Sequence, residues 1–137
     1  TYIGYGKSSL DDDVETAASF QGRTVQGDQF PDQGYFYRSD QFNFAKIGVP
    51  AVYLDGGTDY IGRPDGWGTE QVEEWVSVRY HQPSDELEAD WNFDGLIEDA
   101  QLAFYIALSI AEADEMPRWN EGDEFEAARL DALAARE

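Results

Sequence analysis

The chain contains no cysteine among its 137 residues. This absence excludes a disulfide framework, a zinc site built on thiolates and a thiol nucleophile. Histidine is also scarce, because His81 is the only one in the sequence. Any chemistry that needs an imidazole from this chain must therefore use His81.

Basic residues are few: 9 Lys and Arg stand against 29 Asp and Glu, which gives a formal net charge of −20. Such a charge repels phosphate backbones and anionic membranes over a Debye length, about 8 Å at physiological salt. Nucleic acid is therefore not expected as a partner. We interpret the acids as a solvated surface. A calcium-binding interaction domain is the weaker alternative, because the sequence has no Asp-x-Asp-x-Asp-Gly loop.

The sequence has no long apolar run. Its most apolar stretch, residues 102–110, is interrupted by Ser109 and is shorter than the roughly 18 residues that argue for a membrane span. We therefore expect no membrane span in this chain. The sequence starts with Thr1 and its only methionine is Met116, so we expect it to be a piece of a longer product.

Hydrophobic spacing and capping residues predict several helices. They run over about residues 11–21, 40–47, 69–78, 94–113 and 124–136. The helix at 94–113 has a wide apolar stripe that includes Leu96, Ile97, Phe104 and Leu108. We expect that stripe to pack against the core.

A strand and a loop complete the predicted order of elements. Residues 49–54 form a near-continuous apolar run, which is typical of a strand buried on both faces. A helix followed by such a strand favours an α/β sheet. The glycine-rich residues 58–68 predict an ordered loop, in which Tyr60 and Trp67 either wall a side-chain pocket or pack over the sheet edge.

The residues best suited to chemistry lie at positions 80–85, Tyr-His-Gln-Pro-Ser-Asp, in irregular chain. Zinc sites of hydrolases use neutral imidazole and carboxylate ligands, and a nearby carboxylate or carbonyl usually orients each imidazole. A lone histidine on a loop is nevertheless more often a partly exposed hydrogen-bonding residue. Spacing alone leaves both interpretations open.

Two segments resemble family twenty-eight of the metallopeptidases, which contains bacterial secreted aminopeptidases and glutamate carboxypeptidase. Residues 80–85 are similar to the Tyr-His-x-x-x-Asp segment that carries the last zinc ligand of that family. Residues 39–44 and 48–51 resemble its Ser-Asp-His-x-x-Phe and Gly-Ile/Val-Pro-Ala stretches in order and distance. Gln41 stands where the family usually has histidine, and this departure puts full activity in doubt.

The resemblance implies an α/β fold, in which this chain forms the C-terminal portion of a three-layer α/β/α sandwich with a mixed sheet, as in phosphorylase/hydrolase-like zinc peptidases. Residues 1–137 would be the C-terminal portion of a single peptidase catalytic domain, with the remainder upstream of Thr1. That remainder would hold the other four metal ligands and a general-base glutamate. An isolated piece of a sheet exposes an open edge, so we expect self-association or dependence on the missing part.

The resemblance also implies roles for single residues. His81 would bind one of two zinc ions and Tyr80 would donate a hydrogen bond to the developing oxyanion. We infer that Asp85 orients the imidazole. Ser39 and Asp40 either line the substrate cleft or, for Ser39, cap the following helix.

The implied activity is metal-assisted hydrolysis of peptide bonds at the N-terminus of peptides, with two zinc ions in the complete enzyme. One histidine cannot hold two zinc ions, so this chain alone is expected to be inactive. Glu73 and Glu74 are interpreted as a solvated helix pair and not as the family's catalytic glutamates. The alternative is a non-catalytic binding or association module of the same ancestry. The resemblance suggests a periplasmic or secreted location.

Overall fold

The computed structural model describes residues 1–135. Within this range the chain is rich in helix and has one small sheet. In chain order the elements are β1 (Tyr2–Ile3), α1 (Leu10–Phe20), a 3-10 turn (Pro31–Gln33), α2 (Tyr35–Arg38), α3 (Gln41–Ala45), β2 (Tyr53–Leu54), α4 (Trp67–Val78), α5 (Asp94–Glu112) and α6 (Glu126–Ala134). This mixture of helices and paired strands is compatible with a piece of an α/β fold.

The sheet consists of β1 and β2 in antiparallel pairing, with Tyr2 opposite Leu54 and Ile3 opposite Tyr53. The predicted strand at 49–54 forms only at its last two residues, and both are half-buried. The prediction of a strand buried on both faces is therefore wrong for the structure described. Pro50 has no N–H to donate to a ladder, and only Tyr53 and Leu54 reach β1.

Helices α1 and α5 pack together around the main core. Strand β1 contributes one residue to this core. The buried residues of the cluster are Tyr2, Val14, Ala17, Ala18, Leu102 and Ile106. The three aspartates in the first turn of α1 interact favourably with the helix dipole, and its small alanines allow a close approach of α5. The predicted helices at 11–21 and 94–113 are thus confirmed, within a residue or two at each end.

The apolar stripe predicted on α5 is not in this core. Leu96 is 65% and Phe104 62% exposed, whereas the buried residues of α5, Leu102 and Ile106, lie on another face of the helix. The prediction that the stripe packs against the core is wrong for residues 1–135, because α5 turns the face of Leu102 and Ile106 toward α1. An open apolar groove of about 380 Å³ adjoins the uncovered side. No helix of the described part is long and apolar enough to cross a membrane.

A second cluster joins the start of the chain to its later part. It contains Ile3, Phe36, Ala45, Trp119 and Phe125. The indole N–H of Trp119 donates to the carbonyl oxygen of Gly48 over 3.1 Å. The tail after α5 therefore holds α2 and α3 against β1.

Lys7 strengthens the same junction. Its ammonium group lies 3.2 Å from an Asp123 carboxylate oxygen and 2.8 Å from a Glu124 oxygen, and 5.4 Å from the ring centres of both Phe36 and Phe125. Burial lowers the pKa of Lys7, but its hydrogen bonds with the two carboxylates outweigh burial and raise that pKa overall. The charge of Lys7 is thus retained where the tail folds back.

The remaining helices differ from prediction in detail. The single helix predicted at 40–47 is preceded by the separate short helix α2, and Ser39 between α2 and α3 is extended. Helix α4 starts at Trp67 instead of Thr69, after a left-handed Gly66. Helix α6 starts at Glu126 instead of residue 124. The predicted end of that last helix, Arg136, lies outside the described residues.

Replacing Gly48 by alanine should destabilise the protein by about 2–3 kcal/mol. Gly48 has a φ of +83°, and a Cβ added there would collide with the backbone of Ala128 and Arg129 in α6. Thermal unfolding of the natural full-length product would measure the effect. Gly122→Ala is the matched control, because Gly122 has a φ of +82° with nothing within 4 Å of the added Cβ. Equal shifts for the two variants would contradict a role for the α6 contact.

Candidate active site

The end of α4 fixes the position of Tyr80. The backbone N–H groups of Arg79 and Tyr80 both donate to the carbonyl oxygen of Trp75, over 2.8 and 2.9 Å. This closes the helix and places the Tyr80 ring 4.8 Å from the Trp75 ring, centre to centre, at 43°. Tyr80 remains 38% exposed, so its phenol can reach a bound molecule.

His81 follows in an unusual backbone conformation. Its φ is +58°, and within residues 1–135 every other residue with a positive φ is glycine. The left-handed region costs a non-glycine residue about 1–2 kcal/mol, and such outliers cluster at functional sites. The imidazole is exposed and stacks on the Tyr80 ring, with 3.9 Å between ring centres and 22° between planes. Both candidate groups therefore form one surface unit.

Asp85 lies on the same loop, but the structure does not bring its carboxylate onto His81. The loop is closed by other bonds: the Asp85 N–H donates to the carbonyl of Gln82 over 3.0 Å, and the Ser84 hydroxyl donates to the carbonyl of Val78 over 2.6 Å. Among the hydrogen bonds of residues 1–135, none joins Asp85 to His81. The orienting role of Asp85 stays a prediction.

Ser39 and Gln41 are engaged with α2. The Ser39 hydroxyl donates to the carbonyl of Tyr35 over 2.8 Å, and the Gln41 amide donates to the carbonyl of Phe36 over 3.0 Å. Neither Ser39 nor Asp40 makes a side-chain cap on α3. Asp40 is exposed. The roles of Ser39 and Asp40 at a substrate cleft therefore also stay predictions.

A cavity of about 290 Å³ lies beside Tyr80. Most of its lining is aromatic or aliphatic, and a smaller part is polar. The lining residues are Thr1, Ile3, Asp28, Gln29, Phe30, Tyr35, Tyr53, Asp55, Gly56, Gly57, Tyr60, Val72, Trp75, Val76 and Tyr80. Small-molecule sites are typically such apolar concavities with a few polar groups. The size suits a single amino-acid side chain.

Several of these lining residues were not singled out from the sequence. Val72, Trp75 and Val76 are spaced three and four apart, which puts them on one face of α4. This spacing is visible in the sequence and predicts that the three residues share one surface. Tyr35 and Tyr53 carry no such signal, because they are distant in sequence and only the fold brings them to the cavity. For Tyr60 both predicted alternatives hold: it lines the cavity, and it packs edge-on against Trp67 with 5.1 Å between ring centres.

Helix α2 and the end of α4 face the same space, because Tyr35 and Tyr80 both line the cavity. Burial, followed by the nearby charges of Asp55 and Tyr80, raises the pKa of Tyr35 above its usual range, while Arg38 acts in the opposite direction. The Tyr35 phenol is therefore held in its neutral form at the cavity.

The described residues do not form a complete metal site. In residues 1–135 no group of three or more His, Cys, Asp or Glu side chains is close enough to hold an ion. His81 offers one exposed imidazole, and zinc in proteins is usually four-coordinate. These residues therefore fit one position of a zinc site and leave the others to be supplied from elsewhere.

Comparison with known protein families identifies the family to which the chain belongs. The sequence model of Peptidase family M28 matches residues 1–105. The chain belongs to this family. The match contains the Ser39–Gln41 segment and the Tyr80–His81 pair, and it ends within α5. No curated protein and no solved structure gives a significant match to the chain.

Membership of the peptidase family makes this chain a relative of metallopeptidases, a class of hydrolases that act on peptide bonds and are generally zinc-dependent. The resemblance noted from the two motifs is confirmed at this level. The tail that packs on α2 and α3, including Trp119 and Phe125, lies beyond the matched residues.

Proposed function

We propose that this chain is part of a two-zinc aminopeptidase that removes residues from the N-terminus of peptides. Residues 1–137 would form the C-terminal portion of one catalytic domain, a three-layer α/β/α sandwich with a mixed sheet. The observation that carries the proposal is the stacking of His81 on Tyr80, which lines a mainly apolar cavity. An imidazole can bind a metal and a phenol can donate a hydrogen bond, and the cavity beside Tyr80 has room for a substrate side chain.

The roles of the chain's own residues follow from this placement. His81 presents its imidazole at the surface, held by the Tyr80 ring and by the left-handed backbone. Tyr80 is fixed through Trp75, so its phenol O–H donates to the oxygen on which negative charge develops. Zinc would supply an activated water and polarise the scissile carbonyl.

Substrate binding would use the cavity and its rim. The aromatic side chains Tyr35, Tyr53 and Trp75 would surround the side chain of the N-terminal residue, while Ser39 and Asp40 would line the approach. Asp85 would orient His81 once the site is complete. A peptide substrate and an exported location are proposed on the family resemblance.

The uncovered side of α5 is relevant to whether the isolated chain associates with itself. Leu96, Ile97 and Phe104 are all more than half exposed, and exposed apolar patches of this kind mark interaction surfaces. We propose that the rest of the catalytic domain covers this side of α5. Without it, the 137-residue chain would be inactive and would self-associate through the same side.

A second function is favoured by one observation. Gln41 replaces the histidine usual in the family, and its amide is used to brace α2 through the Phe36 carbonyl. A glutamine amide does not titrate near neutral pH, so this position no longer offers a titratable group. The alternative is therefore a non-catalytic binding or association module of the same ancestry.

Zinc analysis and a peptidase assay on the natural full-length product test the proposal. We expect about two zinc ions per molecule and release of the first residue from unblocked peptides, with N-acetylated peptides left intact. The isolated 137-residue chain, assayed beside it, should show neither. A full-length product without zinc and without peptidase activity would leave the non-catalytic module as the better account.

A further inference from the structure

The cavity beside Tyr80 shares a wall with the second hydrophobic cluster. Ile3 belongs to that cluster and also lines the cavity. Tyr35 and Tyr53 line the cavity as well, and both pack against the same cluster. These residues therefore lie between the cavity and the cluster, so the contacts that fix the cluster also fix this wall.

The tail after α5 supplies two buried members of the cluster, Trp119 and Phe125. The Phe125 ring stacks on Phe36, with 5.7 Å between ring centres and 28° between planes. Its centre also lies 5.0 Å from the centre of the Trp119 ring. Phe36 is the neighbour of Tyr35 in α2. Phe125 therefore braces α2 one residue away from the cavity wall.

Helix α2 depends on such contacts, because it has only four residues and helices this short have little stability of their own. Phe36 is tightly packed: a Cβ added at Gly4 would lie 2.9 Å from its ring. The next residue, Tyr37, donates its hydroxyl hydrogen to a Glu124 carboxylate oxygen over 2.7 Å. Two successive residues thus attach α2 to the tail, and loss of the Phe125 ring would leave a space into which Phe36 can move.

We propose that Phe125 is a positioning residue, which holds the wall of Ile3, Tyr35 and Tyr53 in place and so lets the cavity select large apolar side chains at the N-terminus of the substrate. The inference rests on the proposed peptidase function, since it concerns the specificity of the same cavity. Phe125 does not line the cavity, and it lies beyond the residues that match the family. Membership of the family therefore does not assign this role.

The physical reason is that selection by size needs a fixed wall. The cavity of about 290 Å³ is lined mostly by aromatic and aliphatic groups, so a large side chain gains affinity from each apolar group that it buries. That gain requires close packing, because a gap between ligand and wall forfeits the contacts. A wall that shifts still accepts large side chains, but it distinguishes them less from small ones.

The test is equilibrium binding, measured by calorimetry on the natural full-length product freed of zinc so that the peptides stay intact. The probes are the dipeptides Phe-Leu and Ala-Leu, which differ only in the N-terminal side chain. The wild type should bind Phe-Leu about tenfold more tightly than Ala-Leu. Phe125→Ala should reduce this ratio to about twofold. Phe125→Leu should give an intermediate ratio, and it carries the test if Phe125→Ala does not fold.

The ratio of two affinities, measured on one preparation, does not depend on the fraction of protein that is folded. Val14→Ala is the matched control, because Val14 is buried in the main core and neither lines the cavity nor belongs to the second cluster. It should lower the thermal stability and keep the ratio of the wild type. An unchanged ratio in the Phe125 variants, an equal fall in Val14→Ala, or a wild type that binds both probes equally or neither, would overturn the proposal.

A parallel assay of the zinc-loaded proteins separates the two levels of inference. Absence of hydrolysis by the wild type, together with the reduced binding ratio in Phe125→Ala, would refute the peptidase function and keep the positioning role. Hydrolysis of the two dipeptides with the same ratio of kcat/KM in Phe125→Ala as in the wild type would refute the positioning role and keep the peptidase function.

Discussion

Replacing His81 by alanine in the natural full-length product should remove about one of two bound zinc ions and slow peptide hydrolysis about a thousandfold. The imidazole of His81 is exposed and stacked on Tyr80, and the chain has no second histidine to replace it. A thousandfold loss corresponds to about 4 kcal/mol of transition-state stabilisation. Metal analysis of the purified variant measures the ion independently of activity.

The backbone at His81 requires a second variant. Its φ of +58° is unfavourable for alanine, so His81→Ala also changes the loop. His81→Asn serves as the control, because asparagine tolerates the left-handed region better than other non-glycine residues. Loss of zinc and activity in both variants would assign the effect to the imidazole.

The neighbouring residue Gln82 provides a control substitution that should have no effect. Gln82 is exposed on the same loop, and Gln82→Ala should keep the zinc content and the rate of the parent. Full zinc occupancy in both His81 variants would mean that His81 is not a ligand, and the metal site would then have to be sought elsewhere in the protein.

Tyr80→Phe should lower kcat about a hundredfold to a thousandfold while KM and zinc content stay unchanged. The substitution removes one hydroxyl and keeps the ring that packs on Trp75 at 4.8 Å and on His81 at 3.9 Å. A hydrogen bond that forms only with the charged transition state contributes to kcat and not to substrate binding. Steady-state kinetics and metal analysis measure the three quantities on one preparation.

Tyr105→Phe is a matched control, because Tyr105 lies half exposed on α5 and does not line the cavity. It should behave as the parent. If Tyr80→Phe instead raised KM with kcat unchanged, Tyr80 would be a substrate-binding residue. If it lost zinc, the Tyr80 hydroxyl would act on metal binding and not on the transition state.

Local sequence signals were sufficient for the long helices. The acid-rich first turn of α1 and the apolar spacing of α5 act within one helix, so their bounds could be predicted to within a residue or two. The strand was different. Residues 49–54 are apolar enough for a doubly buried strand, yet pairing depends on which partner is near, and only Tyr53 and Leu54 meet β1.

The stripe of α5 illustrates the same limit. Periodicity told which residues share a face, and it could not tell which face would meet a neighbour. Leu102 and Ile106 meet α1, whereas Leu96 and Phe104 lie on another face of α5 and are not buried by any described helix. Which face of a helix is buried depends on where its partner packs.

For the site, the sequence by itself determined that His81 is the only imidazole, that Tyr80 is next to it, and that both belong to a peptidase-family segment. Adjacency along the chain is sufficient for these statements. Only the tertiary structure decided that Tyr35, Tyr53 and Tyr60 share a cavity with Tyr80. Contacts between residues far apart in sequence depend on how helices and strands pack, and no local pattern encodes them.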